Sequence, residues 1–312
     1  MKGAELMKST RDRLIYAAYF APRGVVRMAQ MGSLIAQRHL DPFDKLIGIV
    51  GEAGSGKSML VKGMFPGLEM TNDDNGVNVR PLPLLDPVDS IFYAPHTYHV
   101  DIRFELAFTQ IGELASAIKM QLNKGRRVVV EHFELIRPYL DRNAELLIGV
   151  GEEIIVTRPS IFGPEPNEIA ETVHKSIKFR KMAHTAEDLC ERMFWDEYRD
   201  EYRHGDVRHG FILQFEEKPR VPIPLIEEYV KTRISDNIPV SFKDETHILF
   251  GDKPHYCTGP RMHVRNTGEI EGFHLLPEYY FDPVSGMYLL VGRVGTDAAQ
   301  DTDYSHLNTI EL

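Results

Sequence analysis

The chain has 312 residues, of which 43% are hydrophobic and 26% are charged. This composition is that of an ordinary globular protein of about two domains, which excludes the disordered and fibrous classes. Most of the net charge of -10 lies in residues 166–312, and an acidic surface argues against broad nucleic-acid binding. Apolar runs fall short of the roughly 18 residues that a membrane helix needs, so we expect no membrane partner. Two cysteines are too few for a disulfide framework, and we expect a cytoplasmic protein.

Residues 1–40 show the apolar spacing of one or two amphipathic helices. Leu14, Ile15, Ala18 and Phe20 define the apolar face, and a Pro-Arg-Gly sequence then interrupts it. The pattern predicts a helical N-terminal extension.

Residues 41–164 alternate short apolar runs with segments of helical spacing. The runs typical of buried strands are KLIGIVG, SIFYA, RRVVVEHF, AELLIGV and EEIIVTRP. Strands that alternate with helices favour an α/β domain, and we predict a mostly parallel sheet.

Residues 165–312 show a different pattern of predicted elements and begin at a rigid proline- and glycine-rich linker, FGPEP. A long helical stretch is followed by the short strand-like pieces HGFILQF, HILFG and GEIEGFHLL. The pair YYFDP and GMYLLVGRV then flanks a turn. This order predicts a second domain of the α+β class.

The segment IGIVGEAGSGKSMLV fits the phosphate-binding pattern G-x-x-x-x-G-K-[ST]. Glycines let consecutive backbone N–H groups face phosphate oxygens, and the positive end of the following helix adds to the attraction. In this pattern Lys57 reaches the β- and γ-phosphates of ATP, and the Ser58 hydroxyl binds Mg²⁺. The predicted nucleotide-binding residues are Gly51, Glu52, Ala53, Gly54, Ser55, Gly56, Lys57, Ser58 and Met59.

Phosphoryl transfer needs a further carboxylate, and three residues are candidates. Glu131 ends an apolar strand, where an acid can hold Mg²⁺. Asp73 and Asp74 follow the loop helix, where an acid can orient an acceptor hydroxyl, although Asp-Asp-Asn-Gly is also ordinary turn chemistry. The predicted catalytic set is Lys57, Asp73, Asp74 and Glu131.

The segment APHTYHVDIRFE offers His96, His99 and Asp101 close together. Their spacing permits a metal site. We favour the alternative interpretation, in which Asp101 caps the next helix.

Two segments of the second domain carry a family resemblance. AHTAEDLCERM is followed some seventy residues later by CTGPRMHVRNTGEIEGFHLL, and the pair resembles the two half-sites of the editing domain shared by threonyl- and alanyl-tRNA synthetases. The family pattern is His-x-x-x-His in a helix, then Cys-x-Gly-[Pro/Thr]-His-Val and Thr-Gly-x-Ile. The resemblance implies a zinc site formed by His184, Asp188, Cys257 and His263.

The chain departs from the family pattern at two places. Asp188 stands where the family has its second histidine, and Arg261 and Met262 read as a two-residue insertion. At i and i+4, His184 and Asp188 still share a helix face and can reach one cation. In the family, the domain hydrolyses a wrongly attached amino acid from tRNA.

The first domain resembles nucleoside kinases of the uridine-kinase type in its strand, loop and helix. We therefore expect an ATP-dependent phosphotransferase that acts on a small-molecule acceptor and uses ATP and Mg²⁺. One alternative is a metal-dependent hydrolase of aminoacyl-tRNA or aminoacyl esters with a regulatory nucleotide-binding domain, although the acidic second half does not favour tRNA. A third hypothesis is a regulatory binder. The acceptor and the oligomeric state stay open.

Overall fold

The chain was analysed as a computed structural model that describes residues 16–70, 84, 97–194, 198, 201–296 and 304–310. It divides into two compact units, Met1–Tyr19 with Met28–His174 and Phe20–Arg27 with Lys175–Leu312. The predicted positions that lie outside the described residues are Leu14, Ile15, Asp73, Asp74 and His96.

The first unit is built around one six-stranded sheet. Its described elements are β1 (Tyr16–Phe20), α1 (Val25–His39), β2 (Leu46–Val50), α2 (Lys57–Met64), β3 (Thr97–Asp101), α3 (Ile102–Glu105), α4 (Ile111–Asn123), β4 (Arg127–Glu131), α5 (Phe133–Ile136), a 3-10 turn (Arg137–Tyr139), β5 (Leu146–Val150) and β6 (Glu153–Thr157). The strand order is β1-β6-β5-β2-β4-β3. β2, β5 and β6 are buried along their whole length, as their continuous apolar runs predict.

The sheet is mixed, so the predicted fold class, with a mostly parallel sheet, is wrong. β2 runs parallel to β4 and β5, and β3 runs parallel to β4, but β5 and β6 are antiparallel. Only Gly151 and Glu152 separate β5 from β6. A two-residue connection allows only an antiparallel hairpin, because a parallel pair needs a crossover of a dozen residues or more.

The N-terminal helical prediction is also wrong for residues 16–20. Ala18 and Phe20 lie in β1, which pairs with β6 at the edge of the sheet. The sequence YAAYF contains aromatic residues that favour strands, and hydrogen bonding to a neighbouring strand outweighs a weak helical pattern. The helical part of the stretch is α1.

The core of the first unit lies between the sheet and its helices. Side chains from β2, β4, β5 and β6 pack with those of α4 and with Phe133. Burial of each such aliphatic or aromatic side chain contributes about 1.5–3 kcal/mol. This packing fixes the ends of β2 and β4, where the candidate phosphate site lies.

The second unit combines two further helices with antiparallel sheets. Its elements are α6 (Pro166–Glu191, whose first residues belong to the first unit), β7 (Tyr202–Val207), β8 (Gly210–Phe215), α7 (Ile223–Ser235), β9 (Val240–Asp244), β10 (His247–Phe250), β11 (Lys253–Tyr256), β12 (His274–Leu275), β13 (Tyr280–Asp282) and β14 (Met287–Arg293). β9, β10 and β11 form one sheet, and β7, β8, β14, β12 and β13 form another. The predicted pair around a turn is confirmed, since β13 and β14 are antiparallel neighbours.

The core of the second unit joins the end of α6 to β8 and α7. Ala186, Leu189 and Phe194 pack in one cluster with Phe211 and Ile226. The opposite face of α6 is therefore free to carry polar side chains in its last turns.

Among the described residues, no helix combines the length and the apolar character needed to cross a membrane.

Candidate functional site

The predicted phosphate-binding loop connects the end of β2 to the start of α2. Gly51, Gly54 and Gly56 have φ angles of +146°, +79° and +95°, a region that favours glycine over residues with a Cβ. Gly56 occupies the N-cap position of α2 in the left-handed conformation. The glycines therefore allow the sharp path that brings loop N–H groups to a helix N-terminus.

Lys57 lies at the start of α2 and reaches back across this loop. Its Nζ donates hydrogen bonds to the carbonyl oxygens of Gly51 at 3.0 Å and Glu52 at 2.8 Å. Burial brings the pKa of Lys57 below its usual value, although the nearby Glu131 and Asp101 carboxylates act in the opposite direction. The two carbonyl contacts thus hold the Lys57 side chain inside the loop.

Glu131 ends β4 next to the loop and is buried. His99 Nε2 donates to Glu131 Oε1 at 3.1 Å, and the Ser58 hydroxyl also hydrogen-bonds the carboxylate. Burial raises the pKa of Glu131, but the hydrogen bond and charge of His99, the charge of Lys57 and the Ser58 hydrogen bond together bring it below its usual value. The carboxylate is ionised, and it lies beside the hydroxyl predicted to bind Mg²⁺.

The strand ends explain why these groups meet. Glu131 is the register partner of Asp101 on β3 and of Ile49 on β2, so the carboxyl ends of three parallel strands coincide. The prediction for Asp101 is confirmed, because its side chain caps α3 by accepting from Phe104 N at 3.1 Å. His99 contacts the carboxylate of Glu131.

The remaining predicted loop residues line the same turn. Ser55 is fully buried, whereas Ala53 and Gly54 are exposed; Glu52, Gly56, Ser58 and Met59 are half-buried. The two acids predicted to orient an acceptor, Asp73 and Asp74, lie outside the described residues.

A second cluster lies in the second unit and joins the four residues predicted as zinc ligands. His184, Asp188, Cys257 and His263 each offer one ligand atom, and these atoms all lie within 4.8 Å of one another. Cys257 Sγ is 3.4 Å from His184 Nε2 and 3.7 Å from His263 Nε2. His263 Nε2 is 2.8 Å from Asp188 Oδ2. Sulfur and nitrogen ligands of one tetrahedral zinc ion lie about 3.5 Å apart, so the donor set and its spacing fit such an ion.

Backbone carbonyls hold both imidazole rings of this cluster. His184 Nδ1 lies 3.1 Å from the Met262 oxygen, and His263 Nδ1 lies 3.3 Å from the Pro260 oxygen. A carbonyl only accepts, so each Nδ1 donates to its carbonyl and each Nε2 faces the cluster. This arrangement is typical of metal-binding histidines.

The two-residue insertion, Arg261 and Met262, does not separate the four side chains of the cluster. Met262 is buried and its carbonyl orients His184, while Arg261 is exposed and pairs with Glu245 at 3.1 Å. Gly259 is required by close approach, because a Cβ there would lie 2.9 Å from His184 Cε1. The insertion therefore supplies a contact to the ring instead of displacing the cysteine.

Burial dominates the electrostatics of the cluster. It lowers the pKa of His184 to about 3, with a further contribution from His263, so the ring is neutral. Burial and the Asp188 carboxylate raise the pKa of Cys257 far above its usual value. For Asp188, burial raises the pKa, but the neighbouring imidazoles of His184 and His263, including the hydrogen bond with His263, outweigh it and bring the pKa below its usual value. A bound cation would reverse the balance at Cys257, because metal coordination favours the thiolate.

Further polar residues surround this cluster, and the sequence interpretation did not identify them. Glu187 pairs with Arg23, whose Nε donates to Oε2 at 2.7 Å, and with His204 at 3.2 Å. Glu191 and His255 form a further group with Asp188, whose ligand atoms lie within 4.8 Å of one another. The signals that could have indicated them are the helical spacing of Glu187 and Glu191 from His184 and the strand alternation of His255 with Cys257.

Comparisons with known proteins give little guidance. No protein-family model matches the chain, and no curated protein matches it. Similar solved structures include an amino transferase from Eubacterium rectale, 10% identical, with 82% of this chain and 73% of that chain covered and a TM-score of 0.24. Another is the ornithine aminotransferase from Toxoplasma gondii, 11% identical, with 85% and 72% covered and a TM-score of 0.23. Similarity at this level supports no inference about fold or activity.

Proposed function

We propose that the protein is an ATP-dependent phosphotransferase that transfers a phosphoryl group to the hydroxyl of a small acceptor, as nucleoside kinases do. The observation that carries this proposal is the contact of Ser58 with the ionised Glu131 beside the buried Lys57. These are the groups that bind Mg²⁺ and the β- and γ-phosphates in enzymes with such a loop. Two free cysteines are in keeping with a reducing, cytoplasmic setting.

The proposed chemistry relies on positioning and on charge. The backbone N–H groups of residues 52–58 and the Lys57 ammonium bind phosphate oxygens, and Ser58 and Glu131 would hold Mg²⁺, which neutralises charge on the transferring group. His99 donates to Glu131 and so fixes the orientation of that carboxylate. We assign orientation of the acceptor to Asp73 or Asp74.

The test is ADP formation from ATP with Mg²⁺, measured against a panel of nucleosides, amino acids and tRNAs. Lys57→Ala is expected to weaken ATP binding roughly 100-fold, since it removes charge-assisted hydrogen bonds to phosphate. Lys119→Ala, on α4, is the control and is expected to keep wild-type binding. Equal ATP binding by the Lys57 variant, or no stimulation by any acceptor, would contradict the proposal.

A second candidate function is favoured by the cluster of His184, Asp188, Cys257 and His263. This function is hydrolysis of an aminoacyl ester or aminoacyl-tRNA, with the nucleotide site as its regulator. The four side chains would hold Zn²⁺, and activation of a water would require the ion to take it as a fifth ligand or in exchange for one side chain. Their hydrogen bonds to backbone carbonyls orient the two rings.

Metal analysis of the purified protein and a hydrolysis assay separate the two functions. The hydrolase predicts bound zinc, loss of ester hydrolysis in His263→Ala, and retained hydrolysis in Lys57→Ala. The phosphotransferase predicts that ADP formation is lost in Lys57→Ala and retained in His263→Ala. Absence of bound zinc would exclude the hydrolase.

A further inference from the structure

Polar side chains continue along the second unit beyond the four proposed zinc ligands. On α6, His184, Asp188 and Glu191 follow one another at i, i+4 and i+7, which places them on one face of the helix. His255 on β11 precedes Cys257 by two residues, so these two side chains lie on the same side of the strand direction. The helix and the strand therefore present two successive sets of ligand atoms, and Asp188 lies between the sets.

The distances in the second set are those of atoms that share an ion. His255 Nε2 lies 3.9 Å from Asp188 Oδ2 and 3.9 Å from Glu191 Oε2. Both separations exceed the reach of a hydrogen bond. Two ligands bound to one ion at about 2.1 Å lie about 3–4 Å apart. All three side chains are buried, with residue exposures of 5%, 3% and 6%.

The set of Asp188, Glu191 and His255 differs in charge compensation from the neighbouring group of Glu187, Glu191 and His204. Arg23 donates two hydrogen bonds to Glu187, at 2.7 and 3.3 Å, so that carboxylate already has a buried cationic partner. In the described part of the chain, the ion-pair partners of Asp188 and Glu191 are histidines. Burial and the neighbouring carboxylates raise the pKa of Glu191, and a divalent cation between Asp188 and Glu191 would favour its ionised form and compensate both carboxylates.

We propose that Asp188, Glu191 and His255 form a second divalent-cation site, and that Asp188 bridges it to the cluster of His184, Cys257 and His263. One carboxylate oxygen of Asp188 lies nearest His184, at 3.7 Å, and the other lies nearest His263 and His255. The second site depends on the proposed zinc cluster only through this shared residue.

The donor atoms define the kind of ion. Two carboxylates and one imidazole, without a thiolate, suit a harder ion than the cysteine-containing cluster does, such as Mn²⁺ or Co²⁺. Paired metal ions about 3.5–4 Å apart are found in hydrolytic and phosphoryl-transfer enzymes. The inference thus gives the second unit a two-metal centre in place of a single-ion site.

The test is titration of the chelator-stripped full chain with Co²⁺, followed by calorimetry and by near-ultraviolet absorption. A thiolate-to-cobalt absorption band reports the cluster that contains Cys257, and calorimetry reports the total number of bound ions. We expect two equivalents in the wild type. Glu191→Gln and His255→Gln are each expected to bind one equivalent and to keep the band, whereas Cys257→Ser is expected to lose the band and keep one equivalent.

The control is His247→Gln, a histidine of the neighbouring strand β10 that contacts Asp244 at 2.9 Å. It is expected to bind two equivalents. Circular dichroism of every variant, together with the retained band, shows that loss of one ion does not reflect unfolding.

Each alternative result has a distinct meaning. One equivalent with the band in the wild type, unchanged in the Glu191 and His255 variants, would overturn the second site and leave the zinc cluster in place. One equivalent without the band, lost in His255→Gln, would support the second site and reject the zinc cluster. No binding would overturn both.

Discussion

The phosphate loop of the first unit and the histidine–cysteine cluster of the second unit are assembled in different ways. The loop is contiguous, residues 51–59, and backbone groups between positive-φ glycines make most of its expected contacts. The cluster takes side chains from α6, from the residue after β11 and from the loop that follows. Binding by backbone depends on the path of the chain, whereas binding by side chains depends on each residue separately.

The two units also stabilise buried carboxylates in different ways. Glu131 in the first unit receives hydrogen bonds from His99 and Ser58. Glu187 in the second unit is paired with a full cation, Arg23. Substitutions at these positions, in the loop and in the cluster are expected to change stability or ligand affinity by different amounts.

The largest effect is expected from Arg23→Met. The change leaves Glu187 as a buried carboxylate without its guanidinium partner, and such losses cost about 3–5 kcal/mol of unfolding free energy. Urea denaturation monitored in the second unit measures it. Arg27→Met is the control: Arg27 pairs with Asp206 but is 32% exposed, so a change of about 0–1 kcal/mol is expected. Equal effects of the two substitutions would reject a special role for the buried pair.

Cys257→Ser comes next and tests the dependence of the cluster on single side chains. A hydroxyl replaces the thiolate ligand, and zinc affinity is expected to fall at least about 100-fold. Competition with a chromophoric chelator measures the affinity. In the loop, Ala53→Ser changes an exposed side chain and is expected to leave ATP affinity within about twofold. A large loss of ATP affinity in Ala53→Ser, together with a small loss of zinc affinity in Cys257→Ser, would contradict the contrast between backbone binding and side-chain binding.

Gly56→Ala tests the dependence of the loop on backbone conformation. At φ +95° alanine is strained by about 1–2 kcal/mol, so ATP affinity is expected to fall roughly 5- to 30-fold. Gly67→Ala is a matched control, because Gly67 also has positive φ (+84°) and a Cβ there meets nothing within 4 Å. That control is expected to lower stability and keep ATP affinity. Equal losses of ATP affinity would show that the loop path is not responsible.

His99→Phe is expected to have the smallest effect. It removes the donor to Glu131, a hydrogen bond whose loss is worth about 1 kcal/mol, or roughly fivefold in Mg²⁺ affinity. His99 lowers the pKa of Glu131, so its removal raises that pKa and moves the acid limb of Mg²⁺-dependent ATP binding to higher pH. His99→Gln keeps a donor and is expected to shift the limb less. An unchanged pH profile in His99→Phe would argue against Glu131 as a magnesium ligand.

Local patterns in the sequence predicted local features well. The Asp101 cap and the β13–β14 pair depend on neighbouring residues, and both are confirmed. The mixed sheet was not predicted because alternating strands and helices favour parallel pairs, and only the two-residue Gly151-Glu152 turn indicates the antiparallel pair. Residues 16–20 were missed because their strand depends on pairing with β6, which is distant in sequence.

Prediction of the metal cluster shows the same limit. The motif residues His184 and Cys257 were visible as half-sites, but Glu191 and His255 belong to no contiguous motif. Their proximity follows from the packing of α6 against the strand that contains His255. Spacing of i+3 on the helix and i-2 on the strand is common in any amphipathic element, so it becomes informative only when both elements are placed.

The carbonyl contacts of Met262 and Pro260 affect which metal ion the cluster would select. Rings held by the backbone cannot rearrange freely, so the cluster would select an ion by coordination geometry as well as by charge. Mg²⁺ demands octahedral oxygen ligands and sheds its water reluctantly, whereas three of the four cluster ligands are nitrogen or sulfur atoms. A chain that uses Mg²⁺ at its loop and zinc at its cluster would therefore keep the two metals apart through ligand type and ligand stiffness together.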